Sequence, residues 1–445
     1  MLTLQFGQCG NQLGYDFYSL INQDLQSKSF APNDYTENSI SKWYEISEKS
    51  GKQIAKAILI DTETKVLNQI IEKNKKDNWF YRSKNVITTG DGGGAANNWA
   101  YGYLKNGPEF EELVLEAVRV ELERADRLDG YLCLLGCAGG TGSGLGSYVI
   151  KSLRQEFSTK NIISILVFPF TFGEVATQNY NIILSLAEIF DNSDLIITIQ
   201  NERLKKELCY KLAGSSKNDK INYPNDLNKI ACQKLISVFQ PTIDDNAKYN
   251  KVNYMISKLV PHPGYKFTSI ESNAVNLSLT DTTALTWQSQ YRYLKKNLIV
   301  SYYESTNCVN QTSKSLANIL ITRGSTKCNT KNFLQPDTDD FKNYIDLNKN
   351  DIYSQNMKWM INEERFTHFH QERKLFNYDK LATVITNNSC IQKTLDDIVR
   401  KAWTTYTYGA YLHQYKKFGL EDDDFLKAFA KVEAQIASYK SLESI

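Results

Sequence analysis

A glycine-rich loop near residue 140 has the residue types and spacing needed to bind an anion. Six of the eleven residues in 136–146 are glycine. The loop follows an apolar run, 131–135, and precedes apolar residues at helical spacing. Glycine lets the backbone approach a ligand closely, and the start of a helix presents unpaired N–H groups. The sequence therefore predicts a phosphate-binding loop, with Thr141 and Ser143 as additional hydroxyl donors.

The loop matches neither of the two common nucleotide-binding motifs. A Walker loop ends in Gly-Lys-Ser/Thr, and 136–146 contains no lysine. The three-glycine spacing of dinucleotide-binding folds is also absent. Without a lysine, the charge of a phosphate must be met by backbone dipoles, by a metal ion and by residues from elsewhere in the chain.

Candidate metal ligands follow another predicted strand. The apolar run 54–60 is followed by Asp61 and Glu63. Mg²⁺ bound beside nucleotide phosphates usually takes one or two carboxylates and keeps several waters. Both carboxylates suit a hydrated divalent ion, and Glu63 is the residue that we predict to hold Mg²⁺, through water.

Other polar residues could contact the rest of a nucleotide. Gln8 lies at the start of a predicted helix, where its amide can reach a phosphate. A second loop of glycine and small residues, 90–100, presents Asn97 to a phosphate. Asn201 and Asn228 follow predicted strands or polar stretches. Their amides both donate and accept hydrogen bonds, as the edge of a purine requires.

The elements that position these residues alternate between strand and helix up to about residue 200. Such alternation predicts βαβ units, a mostly parallel sheet and ligands at the carboxyl ends of the strands. We therefore predict an α/β protein with a Rossmann-like nucleotide-binding domain (1–227), a core helix with an α+β intermediate domain (228–365) and a C-terminal helical hairpin (366–445). The predicted strands are 2–6, 54–60, 131–135, 162–168, 195–199, 265–270, 297–303 and 316–322, and 22–53 is predicted to be a long polar loop.

The composition excludes several classes of partner. With 52 basic and 50 acidic residues the net charge is +2, so no strong field favours nucleic acid or anionic lipid. The eight cysteines show no paired spacing, which is typical of a reducing compartment. No apolar stretch approaches the length that spans a membrane, and no export signal is expected. His368 and His370 are not expected to form a metal site.

Four loop sequences together resemble the nucleotide-binding loops of the tubulin superfamily. They are Gly7-Gln8-Cys9-Gly10-Asn11-Gln12, Asp61-Thr62-Glu63, Ala95-Ala96-Asn97-Asn98-Trp99-Ala100 and Ala138-Gly139-Gly140-Thr141-Gly142-Ser143-Gly144. Their order and spacing match over nearly the whole chain, which also carries Gln178-Asn179-Tyr180-Asn181, Ile199-Gln200-Asn201-Glu202 and Val260-Pro261-His262-Pro263. The resemblance implies a tubulin-like fold with a GTPase domain that binds GTP or GDP together with Mg²⁺.

The resemblance also implies roles for individual residues. Contacts with phosphates or base are implied for Gln8, Cys9, Ala96, Asn97, Gly139, Gly140, Thr141, Gly142 and Ser143. Contacts with ribose and guanine are implied for Glu174, Asn201 and Asn228, and with Mg²⁺ through water for Glu63. Tubulins stack an aromatic ring on the base four positions before the asparagine that matches Asn228. That position is Pro224 here, so Tyr223, one residue earlier, is assigned the stacking role.

Within the superfamily, the chain looks most like the delta subfamily. The stretches that resemble it are Ala138, Gly173-Glu174-Val175, Ser237-Val238-Phe239-Gln240-Pro241-Thr242 and Leu259-Val260-Pro261-His262-Pro263, and the long acidic tail of alpha and beta tubulins is absent. The resemblance implies a cytoskeletal protein of centrioles and basal bodies that helps to assemble or maintain triplet microtubules. The implied partners are other tubulins, with epsilon-tubulin as a candidate, and centriole or basal-body proteins.

One segment departs from the superfamily pattern. In polymerising tubulins the segment before Val260 carries an acid that activates water on the nucleotide of the next subunit. Here 246–254 contains no carboxylate, and its lysines and tyrosines are poor bases at neutral pH. We predict that the chain binds GTP without stimulating hydrolysis in a neighbour, and is at most a slow GTPase that needs a carboxylate from a neighbouring subunit.

Two alternative functions are compatible with the sequence. The first is another role within the superfamily, either microtubule nucleation or service as an ordinary lattice subunit. The second is a nucleotide-dependent metabolic enzyme. The enzyme is disfavoured because no histidine, cysteine or serine constellation accompanies Asp61 and Glu63.

Overall fold

The computed structural model describes residues 1–27, 33–88, 93–173, 175–213, 224–244, 252–276, 287–299, 314–324 and 366–444. Its packing divides the chain into two compact units. The first contains Met1–Asn22, Ile40–Gln233 and Ile391–Ser438, and the second contains Gln23–Ser39, Lys234–Cys390 and Tyr439–Ile445. The three-domain division stays a prediction.

Strands and helices alternate along most of the described chain. The strands are β1 (Leu2–Phe6), β2 (Tyr44–Ile46), β3 (Gln53–Ala55), β4 (Ala57–Ile60), β5 (Trp79–Tyr81), β6 (Val86–Ile87), β7 (Gly130–Gly136), β8 (Asn161–Phe168), β9 (Leu195–Gln200), β10 (Ile243–Asp244), β11 (Phe267–Val275), β12 (Ser315–Gly324), β13 (Phe366–Gln371) and β14 (Lys380–Asn388). The helices are α1 (Gly7–Gln26), α2 (Asn33–Trp43), α3 (Thr64–Asn74), α4 (Gly107–Arg124), α5 (Gly146–Glu156), α6 (Gln178–Asn192), α7 (Asn201–Ala213), α8 (Asn225–Phe239), α9 (Val252–Leu259), α10 (Trp287–Ile299), α11 (Ile391–Thr407), α12 (Leu412–Lys416) and α13 (Asp422–Ser444).

The first unit is organised around a parallel sheet. Its strands lie in the order β9, β8, β7, β1, β4 and β6, and each neighbouring pair is parallel. Strands β1 and β4 are buried along their whole length, as expected for strands covered on both faces. The predicted α/β class and the parallel nucleotide-binding sheet are thereby confirmed.

The predicted long loop over 22–53 is wrong. Helix α1 continues to Gln26, and α2, β2 and β3 follow, with β3 pairing to both β2 and β5. Aromatic residues explain why this segment forms regular structure. The ring centroids of Trp43 and Phe17 lie 5.0 Å apart, and those of Tyr44 and Tyr18 lie 5.5 Å apart. Burial of these rings against α1 outweighs the polar composition of the segment.

The predicted strand 54–60 is two strands. The backbone N–H of Lys56 donates to the carbonyl of Trp43 at 2.9 Å, between β3 and β4. Strand β3 belongs to the small sheet, and β4 pairs with β1 in the large one. The carboxyl end of β4 therefore still delivers Asp61 beside the end of β1, as the sequence predicts.

The second unit has its own mixed sheet. Its strands lie in the order β10, β13, β12, β14 and β11, and only β12 and β13 among these pairs are parallel. The predicted strands 265–270 and 316–322 correspond to β11 and β12. This mixed sheet, with α9 and α10, agrees with the predicted α+β character.

The predicted strand over 297–303 is wrong where the structure describes it, because α10 covers Trp287–Ile299 and 300–303 lie outside the described residues. Trp287, Tyr291 and Leu294 recur at helical spacing and are buried in one cluster with Leu320, Phe366, Ala382 and Val384. Burial of these residues in the cluster favours a helix, although the short apolar run alone is typical of a strand.

Residues 391–444 form the predicted helical hairpin, but its predicted start at 366 is wrong because Phe366–Gln371 and Lys380–Asn388 are strands of the mixed sheet. Helix α11 buries Leu395, Val399 and Ala402, and α13 buries Phe425, Phe429, Val432, Ile436 and Tyr439. Trp403 of α11 stacks on Phe429 of α13 with ring centroids 4.1 Å apart. In the part of the chain that the structure describes, no helix is long and apolar enough to cross a bilayer.

Candidate functional site

The glycine-rich loop joins the carboxyl end of β7 to α5. Its last part is a short π-helical turn, Thr141–Leu145, in which the Gly144 N–H donates to the Gly140 carbonyl at 2.8 Å. The Ser143 hydroxyl donates to the Gly139 carbonyl, and the Thr141 and Thr62 hydroxyls lie 2.7 Å apart. Both predicted hydroxyl donors therefore have partners within the protein. The backbone N–H groups of the loop remain the natural anion donors.

Three loops, after β7, after β1 and around Asn97, are in close backbone contact around Gly140. A Cβ added at Gly140 would lie 2.5 Å from the Ala95 carbonyl oxygen and 2.8 Å from the Asn98 nitrogen. Gly7 has a φ of +65°, and its Cβ would lie 3.0 Å from the Gly142 nitrogen. Only glycine allows such approach. The glycines that suggest a phosphate loop therefore also bring the loops after β7, after β1 and around Asn97 together.

The loop around Asn97 has a strained backbone. Ala96 and Asn97 have φ angles of 47° and 54°, in the left-handed region that costs a non-glycine residue roughly 1–2 kcal/mol. Surrounding hydrogen bonds hold it: the Asn97 carbonyl accepts from Asn181 Nδ2 at 2.9 Å and from Thr177 Oγ1 at 3.3 Å. The Ala96 and Asn97 side chains are exposed. The Asn97 side-chain amide is thus exposed at the surface, while hydrogen bonds to its carbonyl hold the backbone in place.

Asp61 is a buried carboxylate with an incomplete set of partners. Its Oδ1 accepts the Glu63 N–H at 3.3 Å, whereas Oδ2 is buried and has no hydrogen-bond partner among the described residues. Burial raises the pKa of Asp61 to about 6. Asn11 lies nearby, donating from Nδ2 to the Gly7 and Ile60 carbonyls at 2.9 and 3.1 Å. A cation beside Oδ2 would remove the cost of this unpartnered oxygen.

Glu63 is exposed at the start of α3. A Cβ added at Gly94 would overlap the Glu63 carboxylate, so this side chain lies over the backbone of the loop that carries Asn97. Asp61 and Glu63 together provide two carboxylates beside the phosphate loops. Among the described residues, no group of three or more histidine, cysteine, aspartate or glutamate side chains could hold a metal ion. His368 and His370 instead each lie 2.8 Å from the Thr322 hydroxyl.

The start of α1 borders the glycine-rich loop. Gln8 is exposed, and Cys9 is half-buried with a thiol pKa that burial raises to about 11. A Cβ added at Gly136 would lie 3.1 Å from the Cys9 Cβ, so the two loops are in contact. Cys9 is therefore a neutral thiol at physiological pH, suited to packing against a ligand and not to nucleophilic attack.

The residues assigned to ribose and guanine are only partly described. Asn201 begins α7 directly after β9, and Asn228 lies in the first turn of α8, where its N–H donates to the Pro224 carbonyl at 3.0 Å. Both side chains are half-buried. Glu174 and Tyr223 lie outside the described residues. The roles of all four remain predictions.

Sequence reasoning missed the residue that holds the loops together. Asn181 is fully buried and hydrogen-bonded to both the Asn97 and the glycine-rich loops. The sequence contains it in the stretch Gln178-Asn179-Tyr180-Asn181 that resembles tubulins, but that resemblance gives it no role. The contacts that reveal its role join residues far apart in the chain.

Comparisons with known proteins agree with this geometry. The model of the Tubulin/FtsZ family, GTPase domain, matches residues 1–208. The tubulin delta chain of Homo sapiens is 32% identical over 474 aligned positions that include 99% of this chain and 100% of the relative. The tubulin delta chains of Macaca fascicularis and Canis lupus familiaris are 31% and 32% identical, again over 99% of this chain and 100% of each relative.

Proposed function

The chain belongs to the tubulin family and is of the delta type, and on that premise we propose that it acts in the assembly or maintenance of centriolar and basal-body microtubules. It is a GTP-binding cytoskeletal protein, and its partners are other tubulins. The observation that carries the proposal is the match to tubulin delta chains over 99% of the chain. The family assignment decides against a metabolic enzyme.

We propose that the three loops around Gly140 bind the phosphates of GTP or GDP. Support comes from their meeting at the carboxyl ends of β7 and β1, where ligands of parallel sheets bind, with Thr62 after β4 bonded to Thr141 of the same site. In this assignment the backbone of Gly139, Gly140 and Gly142 faces the phosphates, with Thr141 and Ser143 keeping the turn in shape through their own hydrogen bonds. Gln8, Cys9, Ala96 and Asn97 complete the phosphate end, and Glu174, Asn201, Tyr223 and Asn228 the ribose and guanine end.

A magnesium ion fits the carboxylates beside these loops. Among the described residues Asp61 Oδ2 is buried without a hydrogen-bond partner, and Glu63, two positions further along the chain, is exposed. Mg²⁺ would neutralise phosphate charge beside a glycine-rich loop that contains no lysine. We propose that Glu63 and Asp61 both orient it, Glu63 through water.

Hydrolysis in a neighbouring subunit is expected to be unassisted. Tyr254 of α9 lies in the segment where polymerising tubulins carry the activating acid, and 245–251 lie outside the described residues. Added to a GTP-loaded polymerising tubulin, the chain should change the hydrolysis rate by less than about twofold, since a missing general base forfeits a factor of roughly 100. Tyr254→Glu should raise the rate at least about tenfold.

A radiolabelled GTP assay with and without polymer ends tests this prediction. Asn253→Glu, one position away on the helix, serves as the matched variant. Stimulation by the unsubstituted chain equal to that of a lattice tubulin would show that the acid is not needed here or is supplied by another segment.

Localisation tests the proposed cellular role. A tagged copy expressed at its natural level should concentrate at centrioles or basal bodies, and an epsilon-tubulin should be recovered with it after crosslinking. Uniform labelling along cytoplasmic microtubules would favour a lattice subunit, and labelling of nucleation centres without centriole walls would favour a nucleating role. Either pattern would reject the proposal.

A further inference from the structure

The buried amide of Asn181 uses its full hydrogen-bonding capacity. Asn181 Nδ2 donates to the Asn97 carbonyl at 2.9 Å and to the Ala138 carbonyl at 2.7 Å. Its Oδ1 accepts the Trp99 N–H at 3.0 Å and the Tyr415 hydroxyl at 2.7 Å. A primary amide has two N–H donors and two acceptor positions, so all four are occupied. This saturation fixes the orientation of the amide, because a flip would place oxygen against two carbonyls.

These four bonds join three separate parts of the first unit. Asn97 and Trp99 belong to the strained loop, Ala138 belongs to the glycine-rich loop, and Tyr415 comes from α12 near the end of the chain. Asn181 is fully buried, and burial raises the pKa of the Tyr415 hydroxyl well above its ordinary value. The tyrosine therefore remains a hydrogen-bond donor at every physiological pH.

The segment 408–415 is bonded at two further points, once to the strained loop and once to α6. Asn98 Nδ2 donates to the Gln414 carbonyl at 3.1 Å, and the Tyr180 hydroxyl donates to the Ala410 carbonyl at 3.2 Å. Residues 408–411 connect α11 to α12, with Tyr411 at a φ of 62°, and 412–415 belong to α12. Tyr408, by contrast, is 82% exposed. One end of this short segment therefore faces solvent while the other is bonded to the loops assigned to phosphate.

We propose that Asn181 and Tyr415 are positioning residues that hold Asn97 against the glycine-rich loop, so that the segment 408–415 sets the affinity for nucleotide. The inference rests on the proposed assignment of the phosphate loops. If the segment stabilises the bound arrangement, thermodynamic reciprocity requires that bound nucleotide also stabilise the segment. A purely structural role for Tyr415 would produce no such reciprocal effect.

The test uses Tyr415→Phe, which deletes only the hydroxyl and keeps the ring beside Tyr180 and Phe425. Tyr439→Phe is the matched control: this buried hydroxyl bonds to the Phe267 N–H and to Asn387 at 3.0 Å each, all three within the second unit. The full-length chain is titrated with a fluorescent GTP analogue and Mg²⁺. We expect Tyr415→Phe to weaken binding about five- to tenfold, Asn181→Asp about 100-fold, and Tyr439→Phe less than twofold.

Hydrogen exchange of 408–415, with and without GTP, provides the reciprocal measurement. Bound GTP should slow exchange in this segment of the unsubstituted protein, and Tyr415→Phe should remove that protection. Equal affinities for Tyr415→Phe and Tyr439→Phe, or protection that survives in Tyr415→Phe, would overturn the inference while leaving nucleotide binding intact. A failure of the unsubstituted chain to bind the analogue would instead overturn the proposed function as well.

Discussion

Gly140→Ala is expected to abolish GTP binding at micromolar concentrations. The added Cβ would lie 2.5 Å from the Ala95 carbonyl oxygen and 2.7 Å from the Ala95 Cβ. The first of these is a backbone atom that no side-chain rotation can move aside. The loop carrying Asn97 would have to shift away from the glycine-rich loop, and a displacement of about 1 Å in such a site costs on the order of 100-fold. Titration with a fluorescent GTP analogue measures the loss.

Gly93→Ala is the matched control for this substitution. In the described part of the chain no atom lies within 4 Å of the Cβ position at Gly93, and its φ is outside the left-handed region. The variant should bind the analogue within about twofold of the unsubstituted chain, and circular dichroism should show both variants folded. Nucleotide affinity of a folded Gly140→Ala protein equal to that of Gly93→Ala would mean that the phosphates bind elsewhere.

Asp61→Asn should stabilise the nucleotide-free protein and at the same time weaken magnesium-dependent GTP binding. Burial raises the pKa of Asp61 to about 6, above the ordinary value of 3.8. Between these values the folded state binds more protons than the unfolded state, so the contribution of this group to stability falls as the pH rises through about 6. At pH 7.5 the buried charge destabilises the fold by up to roughly 3 kcal/mol, and asparagine removes that charge.

The stability gain should therefore have a characteristic pH dependence. Thermal unfolding in EDTA should show a higher Tm for Asp61→Asn at pH 7.5, and the difference should shrink towards pH 4.5. In the same variant, the increase in GTP affinity that Mg²⁺ produces should be at least about tenfold smaller, because one carboxylate ligand is missing. Asp191→Asn, an exposed carboxylate paired with Lys431, should alter neither quantity appreciably. A lower Tm for Asp61→Asn would contradict the destabilising buried charge, and an unchanged Mg²⁺-dependent GTP affinity would contradict the proposed role of Asp61 at the metal.

The sequence predicts much of the loop geometry of the proposed phosphate site because the relevant signals are local. Glycines at 136–146 indicate a backbone that can approach a ligand or another loop closely, and the short apolar run before them indicates a buried strand. Since parallel strands end at one edge of a sheet, the position of Asp61 relative to Gly140 follows from the order of the elements. The resemblance to tubulins adds the nature of the ligand, which no local pattern contains.

The errors arise where distant packing decides the structure. Trp43 and Tyr44 are buried by aromatic residues of α1, and this burial makes helix and strand out of a polar segment. Trp287 is likewise placed by β12, β13 and β14 residues in its cluster. Reasoning from residues that are neighbours in the sequence cannot reveal such contacts.

Asn181 shows the same limitation within the site. Its partners Asn97, Ala138 and Tyr415 are separated from it by 84, 43 and 234 positions. Even within a stretch that resembles tubulins, an asparagine of a helix gives no indication of which carbonyls it will meet. The role of Asn181 in joining the loops can therefore be recognised only in the folded unit.

Identification of the nucleotide released from the purified chain tests the central claim most directly. The protein is denatured after gel filtration, and the supernatant is separated by ion-exchange chromatography with mass detection. We predict GTP or GDP at close to one molecule per chain, and little or none from Gly140→Ala purified in parallel. Recovery of an adenine or nicotinamide nucleotide, or equal guanine nucleotide from both proteins, would contradict a GTP site built on Gly140 and its neighbouring loops.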